Sequence, residues 1–131
     1  MTPVSPPTMN WLAHWAKLGR QGAYPTRFHP VACHLLDVGY CALQLWQTIL
    51  RPGFRRRLAD RFRCHEETLG RWVAFWIALH DIGKVWPGFA VRGCGAEAAL
   101  SKLGYSFTND RDPAMRHAIV STKWMMDNLA N

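Results

Sequence analysis

The stretch FWIALHDIGKVWPGFA, residues 75–90, closes an apolar run with a histidine and a carboxylate side by side, followed at once by Gly83 and Lys84. Two readings compete for it. In the first, His80 and Asp81 are a polar helix end, Gly83 is the residue that stops the helix, and Lys84 is a solvated cation offsetting the helix C-terminus. In the second, His80 and Asp81 are adjacent metal ligands at the floor of a cleft. The choice rests on what the rest of the chain can bring to the same place.

Upstream, apolar residues recur with a helical period. VACHLLDVGYCALQLWQTIL predicts a helix over 31–50, with Pro30 in its first turn, where a missing N–H costs nothing. His34, Val38, Cys41, Leu45 and Ile49 fall on one face of it, which turns His34 inward. RPG at 51–53 breaks the chain. FRRRLADRFR predicts a short basic helix with Phe54, Leu58 and Phe62 at four-residue steps. EETLGRWVAFWIALHD, 66–81, carries acidic residues in its first turn, as the helix dipole favours, and an inner stripe of Leu69, Trp72, Trp76 and Leu79 or His80. Most tryptophans sit on such inner stripes and are expected in the core.

Toward the ends the pattern continues. NWLAHWAKLG predicts a short helix capped by Asn10 and stopped by Gly19, and RQGAYPTRFHP is a connector. Pro87 and Gly88 mark a loop, AEAALSKL a small helix, and TNDRD a polar turn. Pro113 opens a last helix, PAMRHAIVSTKWMMDNLA, which carries His117. Residues 1–9 read as a flexible arm and 10–131 as one all-α helical domain of five or six helices, without strand alternation or repeats.

Composition narrows the function classes. The 131 residues are 49% hydrophobic with seven Trp, enough for a core, and the net charge of +7 favours polyanionic partners such as nucleic acid. Four widely spaced cysteines form no C-x-x-C pair and predict a reducing cytoplasm without a disulfide framework. No secretory signal is visible, and WVAFWIAL is too short to span a bilayer. No cysteine or serine is paired in a motif with a histidine and an acid, as a nucleophile would need. His14 and His65 read as surface or packing residues, and His29 as ordering the entrance to the helix after it.

Three polar points therefore face inward on three helices: His34, His80 with Asp81, and His117. Facing helices build metal sites from such carboxylates and imidazoles. A mixed nitrogen and oxygen set suits Mn, Fe, Ni, Co or Zn. Lys84 is placed to offer positive charge to a phosphate or a leaving group.

WAKLG, FHPVACHLLDVG, ALHDIGKVWPGF and RHAIVS, in this order, resemble the HD nuclease domain of the type I CRISPR helicase–nuclease, within the HD phosphohydrolase superfamily. The resemblance covers about Trp15 to Ser121. It implies an HD-domain-like helical bundle, with His34 as the first ligand histidine, His80 and Asp81 as the HD pair, Lys84 as the lysine after it, and His117 as the histidine of an R-H-E stretch in which Ala118 replaces the acid. It further implies one or two divalent ions, a single-stranded DNA substrate in antiviral defence, Asp81 and Lys84 as catalytic, and partnership with a crRNA-guided surveillance complex and a helicase portion on a separate chain. Arg55, Arg56 and Arg57 would then meet a DNA backbone or a partner protein, and all three are expected to be largely exposed.

The family adds downstream a pair of adjacent histidines and a further aspartate. This chain has no His-His dipeptide and no phosphate-loop motif. The expectation is the front portion of an HD domain, incomplete at its C-terminal end, that binds metal weakly and cuts slowly, with apolar surface open near Trp124, Met125 and Met126. Two other functions fit the same residues: a truncated module that docks on the surveillance complex without cutting, and a small HD phosphohydrolase of nucleotides.

Overall fold

A computed structural model describes residues 10–18, 28–93, 95–107 and 115–129. Its elements run β1 (Trp15–Leu18), β2 (Phe28–Pro30), α1 (Val31–Thr48), α2 (Pro52–Arg61), α3 (Glu66–Ala78), a 3-10 helix (Leu79–Val85), α4 (Pro87–Ala90), α5 (Ala96–Lys102) and α6 (His117–Leu129). The fold is helical, as the periodicity predicts. The arm 1–9, Gly19, the 108–112 turn and Pro113 lie outside the described residues. No helix among the described residues is long and apolar enough to cross a membrane.

The helix expected over 10–19 is absent from its described part. Asn10 Oδ1 accepts the Leu12 N–H at 3.1 Å and its carbonyl accepts the Ala13 N–H at 2.9 Å, which closes a turn rather than starting a helix. Trp15–Leu18 then pairs antiparallel with Phe28–Pro30, in the register Trp15 with Pro30, Lys17 with His29 and Leu18 with Phe28, bulged between Trp15 and Lys17. A strand of 4 residues alternates too briefly for a period to distinguish it from a helix, and long-range pairing decides the outcome. The hairpin also starts α1: the His14 carbonyl accepts the Val31 N–H at 2.7 Å, satisfying one of the first-turn donors that a helix leaves open.

The chain divides into two compact units. One is His34–His80, built from α1, α2 and α3. Its core is Trp46, Ala59 and Leu69, flanked by Leu50, Leu58, Cys64 and Val73. Gly70 permits this packing, because a Cβ there would lie 2.6 Å from the Trp46 indole nitrogen. The expected apolar stripes are only partly inward. His34 and Leu69 are buried, but Cys41, Leu45, Ile49, Phe54, Phe62, Trp72 and Trp76 are exposed. The buried face of α3 runs from Leu69 through Gly70 and Ala74, two small residues that let helices approach, rather than through the tryptophans. The tryptophans divide accordingly: Trp15 and Trp46 are buried, while Trp11, Trp72, Trp76 and Trp124 are exposed.

The second unit joins the hairpin to the 3-10 helix, α4, α5 and α6. Its core is Ala13, Trp15, Phe89, Ala90, Ala96 and Leu100. The Trp15 indole N–H donates to the Ala90 carbonyl at 2.9 Å, so the ring is packed and its polar edge satisfied. His14 lies edge-on to Tyr105 at 4.8 Å, the packing role its isolation in sequence suggests.

Candidate metal centre

Within the first unit, α1 and the end of α3 bring two imidazoles together. The His34 and His80 ring centroids are 5.7 Å apart, with planes at 62°. His34 is only 8% exposed, whereas His80 is open to solvent. His80 Nδ1 lies 2.9 Å from the Ile77 carbonyl. A carbonyl only accepts, so Nδ1 carries the proton and Nε2 holds the lone pair of the neutral ring. This is the arrangement that orients a ligand histidine.

Asp81 follows His80 by one peptide bond, where α3 tightens into the 3-10 helix and the polar pair leaves the α-helical phase. Asp81, next to His80 in the chain, is the carboxylate candidate beside the His34 and His80 imidazoles. Two imidazoles and a carboxylate are a donor set that fits a divalent transition metal.

Within the second unit, Asp81 is the centre of a polar cluster. Lys84 Nζ sits 2.6 Å from its Oδ2, and His117 Nε2 is 3.1 Å from its Oδ1. The Asp81 and Lys84 side chains are 8% and 9% exposed. The solvated reading of Lys84 is thereby overturned: its ammonium is buried and paired with the HD carboxylate. His117, the first residue of α6, reaches that same carboxylate. Phe89 walls the cluster, its ring 5.2 Å from His117 and its face 5.8 Å from Lys84 Nζ, so the charges meet in an apolar surround that strengthens their attraction.

Two further residues of this cluster, Gly83 in ALHDIGKVWPGF and Ser121 in RHAIVS, lie inside the motifs without being read there as site residues. Gly83 lies against the start of α6; a Cβ there would stand 2.2 Å from the His117 carbonyl oxygen. Ser121 joins the same pieces through its hydroxyl. The spacing of His117 and Ser121, one helical turn apart, puts both on one face of α6, and that period is the signal that could have drawn attention to Ser121.

The three arginines do not share one environment. Arg56 and Arg57 are exposed, as expected. Arg55 is not: its side chain is 16% exposed, with Nε 2.9 Å from Glu66 Oε1 and Nη1 donating to the carbonyls of Trp46 and Gln47 at 3.2 and 3.0 Å. It closes the C-terminal end of α1, whose last carbonyls have no partner within the helix, against the first turn of α3. The Nε contact is an ion pair rather than an aligned hydrogen bond.

A histidine pair, an adjacent aspartate and a lysine three residues on, presented by a helical framework, define an HD-type domain. The model of the family "Cas3, HD domain" matches residues 15–131, and the chain belongs to that family. It is similar to the CRISPR-associated endonuclease/helicase Cas3 of Thermus thermophilus, at 37% identity over 99 residues. That match takes in 73% of this chain and 10% of the relative. No solved structure matches.

Proposed function

We propose that the chain is a metal-dependent HD-type phosphodiesterase segment that cleaves single-stranded DNA in CRISPR antiviral defence. The observation that carries the reading is the His34–His80 ring pair continued without a gap by Asp81. His34, His80 and Asp81 would hold the ion, and His117 stands beside the other face of the aspartate. A bound divalent ion there supplies Lewis acidity toward a phosphate oxygen and a nucleophilic water at neutral pH.

The chain's own groups have separate tasks. The His80 Nδ1 bond to Ile77 fixes the imidazole in the tautomer whose Nε2 carries the lone pair a metal ligand needs. Lys84 places a cation on one oxygen of Asp81 and offers the local positive charge that a phosphodiester requires. The His117 N–H orients the other oxygen. Phe89 keeps water from this side of the cluster. The exposed Arg56 and Arg57 would draw in a DNA backbone, in keeping with the net charge of +7. The "CRISPR-associated" and "endonuclease" of the relative's name support the setting and the reaction, and a crRNA-guided surveillance complex is the partner we infer.

One observation favours a second reading, a module that docks on that complex without cutting. Both oxygens of Asp81 already have protein partners, so an ion must compete with Lys84 for the carboxylate. Metal analysis of the purified protein, run beside a single-stranded DNA cleavage assay with Mn or Ni, decides between them. The nuclease reading expects cleavage that needs the metal and is abolished by Asp81→Ala. Complex binding with no cleavage under any of these ions would contradict it and leave the docking module.

A further inference from the structure

The contact between Gly83 and α6 has no part in holding an ion, yet it decides where two of the cluster's residues stand. Ser121 is the most buried polar side chain among the described residues, at 1% exposure. Its Oγ accepts the Gly83 N–H at 2.8 Å and donates to the His117 carbonyl at 3.0 Å. The hydroxyl's donor and one lone pair are therefore both used, toward two different elements. Gly83 lies between Asp81 and Lys84 on the 3-10 helix, and His117 is the first residue of α6.

The absence of a side chain at Gly83 is the matching half of this joint. A Cβ would meet the His117 carbonyl oxygen at 2.2 Å, the Ser121 backbone nitrogen at 2.7 Å and Ser121 Oγ at 2.8 Å. The backbone of the HD turn is thus seated directly on the first turn of α6. A Ser in mid-helix ordinarily spends its hydroxyl on its own i−4 carbonyl and nothing else. Here the second bond crosses to another element.

We propose that Ser121 is a positioning residue: it locks the 3-10 helix onto α6 and thereby sets His117 Nε2 on Asp81 Oδ1. It acts through Gly83 and the His117 backbone, and it touches neither substrate nor ion. This rests on the HD-centre reading only for its functional consequence, since the joint itself is defined by geometry. Without the hydroxyl, the Gly83 N–H is buried with no partner and the first turn of α6, where the His117 ring is attached, is free to shift.

The test uses proton NMR of the full chain and needs no metal. Two ring contacts serve as reporters: His117 against Phe89, 5.2 Å between centroids, and Trp15 against Phe89, 4.5 Å, inside the core. In Ser121→Ala the His117–Phe89 cross-peak should be lost while the Trp15–Phe89 cross-peak stays. A purely structural serine would change both together or neither. Persistence of the His117–Phe89 cross-peak at wild-type strength in a folded Ser121→Ala protein overturns the proposal, as does its absence from the wild type. Should Ser121→Ala lose both, Ser121→Thr, which keeps the hydroxyl, must retain both. Loss of the His117 contact alone in that variant also overturns it. A Mn titration of the same wild-type sample keeps the two ideas apart, because failure to bind metal removes the ion while leaving the His117 signal to decide the joint.

Discussion

At the scale of the residue, Asp81 and Lys84 define the chemistry and the cost of disturbing it. Both are almost fully buried, so removing the Lys84 ammonium leaves the Asp81 carboxylate its contact with His117 but takes away its buried cation, at a cost of up to about 5 kcal/mol. Lys84→Ala should therefore lower stability by that order in denaturant melts, and Lys84→Met, which also removes the ammonium from Asp81, should not recover it. His14 adds a pH signature. Burial holds its pKa below the usual value, so the folded state resists the proton that the unfolded chain accepts near pH 6.5. The unfolded state then binds more protons just below that pH, and stability falls as the pH is lowered through it. His14→Phe should flatten the pH dependence of the melting temperature between about pH 6.5 and 5. His34, His80 and Asp81 are legible in the sequence because a histidine on an apolar stripe and an HD pair at a helix end are rare types in telling positions. Ser121 is not, because a serine in a helix is common and its partner is 38 residues away.

At the scale of the element, the helices are legible from period and punctuation, and the faces they bury are not. Hydrophobic period places Leu69, Trp72 and Trp76 on the inner stripe of α3; the helix buries Leu69 as expected, but with Gly70 and Ala74 rather than the two tryptophans. Close helix approach selects small residues, a preference that hydrophobicity alone does not reveal. Charge groups Arg55 with its neighbours, but the α1 terminus and Glu66 draw it inward. Arg55→Ala should cost roughly 1–3 kcal/mol, the range for a buried hydrogen-bonded charge, while Arg56→Ala and Arg57→Ala stay within about 0.5 kcal/mol. The end of α2 supplies a test of the opposite sign. Arg63 adopts a φ of 51°, the left-handed conformation, just after the helix, with its N–H on the Asp60 carbonyl. Glycine suits that position, and Arg63→Gly should stabilise the protein by up to about 1 kcal/mol in chemical denaturation.

At the scale of the molecule, charge and apolar surface point to what the chain meets. If Arg56 and Arg57 contact a DNA backbone, replacing both with Ala should weaken single-stranded DNA binding for every sequence alike and flatten its salt dependence by about two contacts. An unchanged salt slope, measured by fluorescence anisotropy, would make them a solubility or protein-docking face. Of the residues expected to form an open surface on α6, Trp124 and Met126 are exposed and Met125 is half-buried. Family membership is readable from motifs that carry chemistry in a fixed order. The hairpin at Trp15–Leu18 is not, since its pairing partner lies beyond a connector. That His34, His80 and Asp81 hold a divalent ion is tested most directly by Mn binding followed by electron paramagnetic resonance. The wild-type chain should show saturable binding to one or two sites, weakened at least about 100-fold in both His34→Ala and Asp81→Ala, more than loss of an outer partner typically causes. Binding that survives unchanged in these two variants, or no saturable binding in the wild type, would contradict it.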